Sequence, residues 1–131
     1  MSKRVSYEVP GLEHTNPIPL AARIGPFLVS GGIPGKDSQT GKVPEAIEEQ
    51  CAHMFANVRK ILAAAGGTPD NILKLTVWLK DLSHRKHVNK HWLEMFPDEH
   101  SRPARHTFQN PDLAAPMLVQ CEIMAVLDSD R

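Results

Sequence analysis

Between positions 44 and 65 the apolar residues recur at steps of three and four: Ile47, Cys51, Met54, Phe55, Val58, Ile61, Leu62 and Ala65. A period of 3.6 stacks these side chains on one broad face, which predicts a helix of about six turns lying against an apolar layer. Pro44 suits the first turn of such a helix, and Gly66-Gly67 supplies its stop. The period then changes to two. In the stretch 71–80, Leu73, Leu75, Val77 and Leu79 are predicted to point one way, and Lys74, Thr76, Trp78 and Lys80 the other. A second helix is predicted from Ser83, its expected N-cap, to Phe96, where Pro97 ends it. Its apolar stripe is Val88, Trp92, Met95 and Phe96.

Around these helices lie segments that read as strands. Residues 1–18 are expected to give an edge strand near 4–8 and then an irregular loop, and 20–23 and 26–30 two short strands bent around Gly25. Two more are predicted at 103–108 and 117–127, the latter apolar on both faces and therefore central. Two amphipathic helices can cover one face of a sheet but not both, so the second face is expected to be covered by self-association. Trp78, placed on that second face, points the same way, because an exposed tryptophan is costly surface to leave wet. The plainer alternative is a lone surface tryptophan.

At 131 residues the chain is expected to form a single domain spanning 1–131. Its 15 basic and 15 acidic residues cancel, which leaves no long-range field to gather nucleic acid. Cys51 and Cys121 sit inside apolar patterns without CxxC spacing, and read as buried small hydrophobes in a reducing compartment. There is no apolar leader and no run of about 18 apolar residues, so no membrane partner is expected and the location is expected to be cytoplasmic.

Strand alternation puts Arg105 and Thr107 on one face and His106 on the other. An arginine directed at a covered sheet face needs an anionic partner, either a structural acid or a ligand carboxylate held by the planar guanidinium in two parallel hydrogen bonds. Gln120 and Glu122 share a face of the last strand and must find polar partners there. The run Gly31-Gly32-Ile33-Pro34-Gly35 could aim backbone N–H groups at a ligand, although it lacks the pattern of a phosphate-binding loop. His84, His87 and His91 line one flank of the second helix, and 87/91 has metal-ligand spacing. With no third ligand evident, a titratable, partly solvated flank is the simpler account, and no metal is expected. No GxSxG motif supports nucleophilic catalysis.

Several ordered motifs together resemble the YjgF/Rid/L-PSP family of reactive-intermediate deaminases. They are Val29-Ser30-Gly31-Gly32-Ile33-Pro34, Thr40-Gly41, Asn57-Val58, Ala64-Ala65-Gly66, Val77-Trp78-Leu79-Lys80-Asp81-Leu82, Val88-Asn89, Arg102-Pro103-Ala104-Arg105 and Glu122-Ile123-Met124-Ala125-Val126. The resemblance implies an α+β, chorismate-mutase-like fold with about six mostly antiparallel strands and two helices on one face. It also implies a homotrimer with active sites in the clefts between subunits. It implies hydrolysis of a small carboxylate-bearing imine or enamine to the keto acid and ammonia, with no cofactor. In that scheme Arg105 holds the substrate carboxylate, and Ser30, Gly31, Asn89 and Thr107 help to form the pocket.

Two positions depart from the family pattern. Active deaminases of the family carry a glutamate where this chain has Gln120, and an amide cannot take a proton. Glu122 shares the face but lies about two strand rises (~6.6–7 Å) further along. The pocket tyrosine of many members has no counterpart in Asn16-Pro17-Ile18-Pro19-Leu20. A non-catalytic carboxylate-binding trimer is therefore the alternative to a deaminase. An endoribonuclease, a label often attached to the family, is disfavoured by zero net charge and few aromatic residues.

Overall fold

The computed structural model describes residues 3–128; Met1 and Ser2 of the expected N-terminal segment, and the last three positions of the expected 1–131 domain, lie outside the described residues. The 44–65 periodicity becomes α1, Ile47–Ala64. Its start differs from the expected one: Ala46 is the cap residue, with extended backbone, and Pro44 lies outside the helix. The cause is Gln50, fully buried on the apolar face, whose Nε2 donates to the carbonyls of Pro44 (2.7 Å) and Pro116 (2.9 Å). Holding Pro44 O by a side chain takes the preceding residues out of the helical path. Gly66, at φ +79°, ends the helix in the left-handed conformation that glycine adopts without steric cost.

The strands are β1 (Val5–Tyr7), β2 (Ala21–Ile24), β3 (Phe27–Ser30), β4 (Ile33–Pro34), β5 (Ile72–Leu79), β6 (Ala104–Gln109) and β7 (Val119–Val126). They form one seven-stranded sheet in the order β1-β2-β3-β7-β5-β6, with β4 also paired to β7. All pairings are antiparallel except β5–β6, which is parallel. β7 is central, as its apolar character predicts. An irregularity between Ile72 and Lys74 shifts the register at the start of β5. Leu73 is therefore turned out, at 63% exposed, and Ile72 takes its place inside; a bulge of this kind breaks strict alternation. Leu75, Val77 and Leu79 point inward as expected.

The second helix, α2, spans Arg85–Met95 and is entered through a 3-10 turn, Leu82–His84. Asp81, not Ser83, caps this entry: its carboxylate accepts the N–H of Ser83 at 2.9 Å, which holds the carboxyl below its ordinary value. Asx side chains favour this local bond more strongly than a serine hydroxyl does. Both helices lie on the same side of the sheet, over a core that includes Met54, Val58, Leu75, Val88 and Ile123. Among the described residues no helix is long and apolar enough to cross a membrane.

Among the described residues no element covers the opposite face. Ile24, Phe27, Val29, Met124 and Val126, linked by cross-strand pairing and by alternate positions along β3 and β7, form one apolar patch, in which Phe27 is 65% and Met124 50% exposed. Trp78 sits half-buried on the same side.

Cys51 and Cys121 are both free and buried. Burial pushes the Cys51 thiol up to about 12 and raises that of Cys121 as well. Neither is expected to react with an aromatic disulfide reagent at pH 8 while the chain is folded, and both should react in guanidinium. Mass spectrometry before and after unfolding checks this; adducts on the folded protein would show that the core opens.

Candidate active site

β6 is an edge strand, opposite in the sheet order to β1, and its parallel register sets Arg105 beside Leu75 and Thr107 beside Val77. Paired residues project from the same face, so Arg105 and Thr107 stand on the helix-covered side, at the open edge beside α2. The Arg105 guanidinium is fixed from three directions. Its Nε donates to Thr107 Oγ1 at 3.0 Å, its Nη2 donates to Asn89 Oδ1 at 2.7 Å, and its Cζ lies 5.0 Å from the centroid of the Trp92 ring. Sequence reasoning missed Trp92 as a site residue, because at helical spacing it is indistinguishable from the core stripe.

No acid answers this charge: among the described residues the acid–base pairs within 4.0 Å all involve histidine. Burial lowers the Arg105 pKa first, and the Arg85 charge lowers it further. Other arginines are used differently. Arg23 spends its guanidinium on the carbonyls of Gly25, Ala65 and Asp128, and Arg102 on those of Phe96 and Pro97. These two tie loops together, whereas Arg105 is oriented by neutral groups that leave its positive charge uncompensated. Such an arrangement suits a ligand carboxylate.

A second cluster forms where β3 runs into β4. Ser30 Oγ donates to the Gly31 carbonyl at 2.8 Å and accepts the N–H of Ile123 at 2.9 Å, anchoring the glycine run to the central strand. Within this loop the Gly31 N–H is taken by the Leu20 carbonyl at 2.9 Å. Gly32 has a steric duty. A Cβ there would come within 2.3 Å of Gln120 Nε2, so with any larger residue the flexible Gln120 side chain would have to swing off the loop. Asn57 holds the far side of the loop through the carbonyls of Pro34 and Lys36. Gln120 and Gly32 line a cavity of about 300 Å³ together with His14, Lys36, Pro34 and Met117. His14, whose Nε2 is buried without a partner, carried no sequence signal: it is a single histidine in an irregular segment.

The two clusters do not meet within one chain. Gln120 pairs with Trp78 and Glu122 with Thr76, on the face opposite to Leu75 and Val77 and therefore opposite to Arg105 and Thr107. β5 also separates the strands that carry them. Asn89, Arg105 and Thr107 thus form one candidate half-site; Gln120 and Glu122 lie on the opposite face, and Ser30 and Gly31 stand at the end of β3 beside β7. The histidine flank belongs to neither. His87 Nε2 stands 3.9 Å from Glu48 Oε1, His91 stacks on Phe55 at 5.7 Å, and His84 meets His87 edge-on at 6.1 Å. Among the described residues no three metal-ligating side chains cluster.

The chain is thus an α+β domain with both helices on one face of its sheet, an apolar second face and, at the edge, an arginine that no described acid pairs. The chain belongs to the YjgF/Rid/L-PSP family: the family model described as "Endoribonuclease L-PSP" matches residues 16–127. A RutC family protein of Aquifex aeolicus is 34% identical over 110 residues, covering 84% of this chain and 88% of that one. Reactive Intermediate Deaminase A, chloroplastic, of Arabidopsis thaliana is 31% identical over 112 residues, covering 85% of this chain and 59% of that protein. The crystal structure of the Rid-family protein YyfA from Yersinia pestis superimposes with a TM-score of 0.88 at 25% identity, covering 95% of this chain and all (100%) of that one.

Proposed function

We propose that this chain is a hydrolytic deaminase that converts a small carboxylate-bearing imine, or its enamine tautomer, to the keto acid and ammonia. The observation that carries this is Arg105, held in place by Asn89, Thr107 and Trp92 with no acid of its own. The names of relatives, Reactive Intermediate Deaminase A among them, support the class of reaction.

In the proposed reaction Arg105 grips the carboxylate and so fixes the neighbouring C=N carbon. Water adds to that carbon while the imine nitrogen gains a proton. The hydroxyl proton then passes to the nitrogen as the C–N bond breaks, leaving C=O and ammonia. An iminium carbon is already electrophilic, so positioning supplies most of the acceleration, on the order of 7 kcal/mol in favourable cases. Gln120 can hold the water through its amide oxygen but cannot take its proton. No cofactor is called for.

Because the half-sites lie on opposite faces, the working site needs a second copy of the chain, and we assign the uncovered apolar face to a homotrimer. Phe27→Asp combined with Met124→Asp should break the assembly to monomers, as read by light scattering, and abolish turnover. A monomeric wild-type chain would defeat this assembly.

The test of function is release of ammonia and keto acid from imino acids generated in situ by an amino-acid oxidase. Release above the uncatalysed rate is expected. Carboxylate binding without any release across a broad panel would favour instead a non-catalytic binding trimer, the reading to which Gln120 lends weight.

A further inference from the structure

We propose that the preferred ligand is a dicarboxylate, whose second carboxylate is held by Arg85 at the start of α2. This rests on the deaminase reading for the position of the first carboxylate, and specifies the substrate class of the same site.

Arg85, Asn89 and Trp92 follow the i, i+4, i+7 spacing of one helix stripe, and Asn89 and Trp92 are the two α2 residues that hold Arg105. Arg85 therefore continues that stripe by one turn, about 6 Å along the axis. It is close enough for its charge to act on Arg105. Its side chain has no ion pair or hydrogen bond among the described residues, and the residue is exposed. Its position is also electrostatically unfavourable. A cation near the start of a helical run lies toward the positive end of its dipole, the first turn of α2 has no acidic residue, and the Asp81 carboxylate that caps the entry is engaged by the Ser83 N–H. Two arginines, Arg85 on the stripe and Arg105 held against it, thus lie at this end of the site, and no described acid forms an ion pair with either. One carboxylate answers Arg105, and a second on the same small molecule answers Arg85. A monocarboxylate would leave the outer charge unmet.

The test compares equilibrium binding of 2-oxoglutarate and 2-oxopentanoate, which differ in one terminal carboxylate, by calorimetry on the assembled protein. Wild type should bind 2-oxoglutarate about tenfold to a hundredfold more tightly, the range of one charge-assisted hydrogen-bonded contact. Arg85→Gln should remove most of that preference, Arg85→Lys should restore part of it, and Arg105→Ala should weaken both ligands. The imines of glutamate and norvaline, assayed in parallel, separate the two ideas. Hydrolysis of both imines with no dicarboxylate preference overturns the Arg85 assignment while the deaminase stands. Tight 2-oxoglutarate binding through both arginines without hydrolysis sinks the deaminase and keeps the assignment. A change of oligomeric state in Arg85→Gln with ligand preference intact overturns it too, making Arg85 an intersubunit contact.

Discussion

Arg105→Ala is expected to lower kcat/KM for imino acids by about 10²–10⁴-fold, the loss of two charge-assisted hydrogen bonds to a carboxylate. The fall should appear at least partly in KM, because the guanidinium grips the substrate before reaction as well as during it. Arg105→Lys should recover only part, since an ammonium keeps the charge but not the fork that Thr107 and Asn89 orient. Stability should change little. The side chain satisfies no buried acid, and what it leaves behind, an Asn89 oxygen and a Thr107 hydroxyl at an open edge, water can serve. Thermal unfolding beside the steady-state assay separates the two effects. Wild-type turnover in the alanine variant would leave the proposed chemistry without a binding group.

Gln120→Glu is expected to act in the opposite direction, raising turnover of simple imino acids by up to about 10²-fold through proton transfer to and from water. The change is nearly isosteric, so the new carboxylate should occupy the space against Gly32 that the amide holds. Glu122, on the same face of β7, would disfavour its ionisation. Activity of the variant should therefore climb with pH through a carboxylate ionisation that lies above the ordinary range, a limb that the parent lacks. A rate that stays flat or falls would mean that the pocket is shaped for a substrate in which the amide itself is needed.

Much of this fold can be read from periodicity. The inward face of α1, the core face of β5 beyond its bulge and the central place of β7 follow from local pattern, because each buries one continuous apolar stripe. Where pattern failed, a non-local bond decided. Gln50 and Asn57 lie deep in the core because they hold the carbonyls of Pro44, Pro116, Pro34 and Lys36, residues that sequence spacing cannot bring near α1. Leu73 is displaced by a register shift against β7, which no property of residues 71–80 announces. At the site, alternation correctly set Arg105 with Thr107 and Gln120 with Glu122. That the two pairs face opposite ways depends on the register of β6 and β7 against β5. Trp92 and Arg85 gain their relation to Arg105 only through that docking.

The division of the site across the sheet has a consequence for inheritance. In the proposed assembly each cleft borrows its carboxylate grip from one subunit and its glycine-lined wall from the next. A chain damaged in the grip and another damaged in the wall, made together in one cell, would assemble into mixed rings in which some junctions bring two intact halves together. Two genes that are each silent alone could then restore function between them.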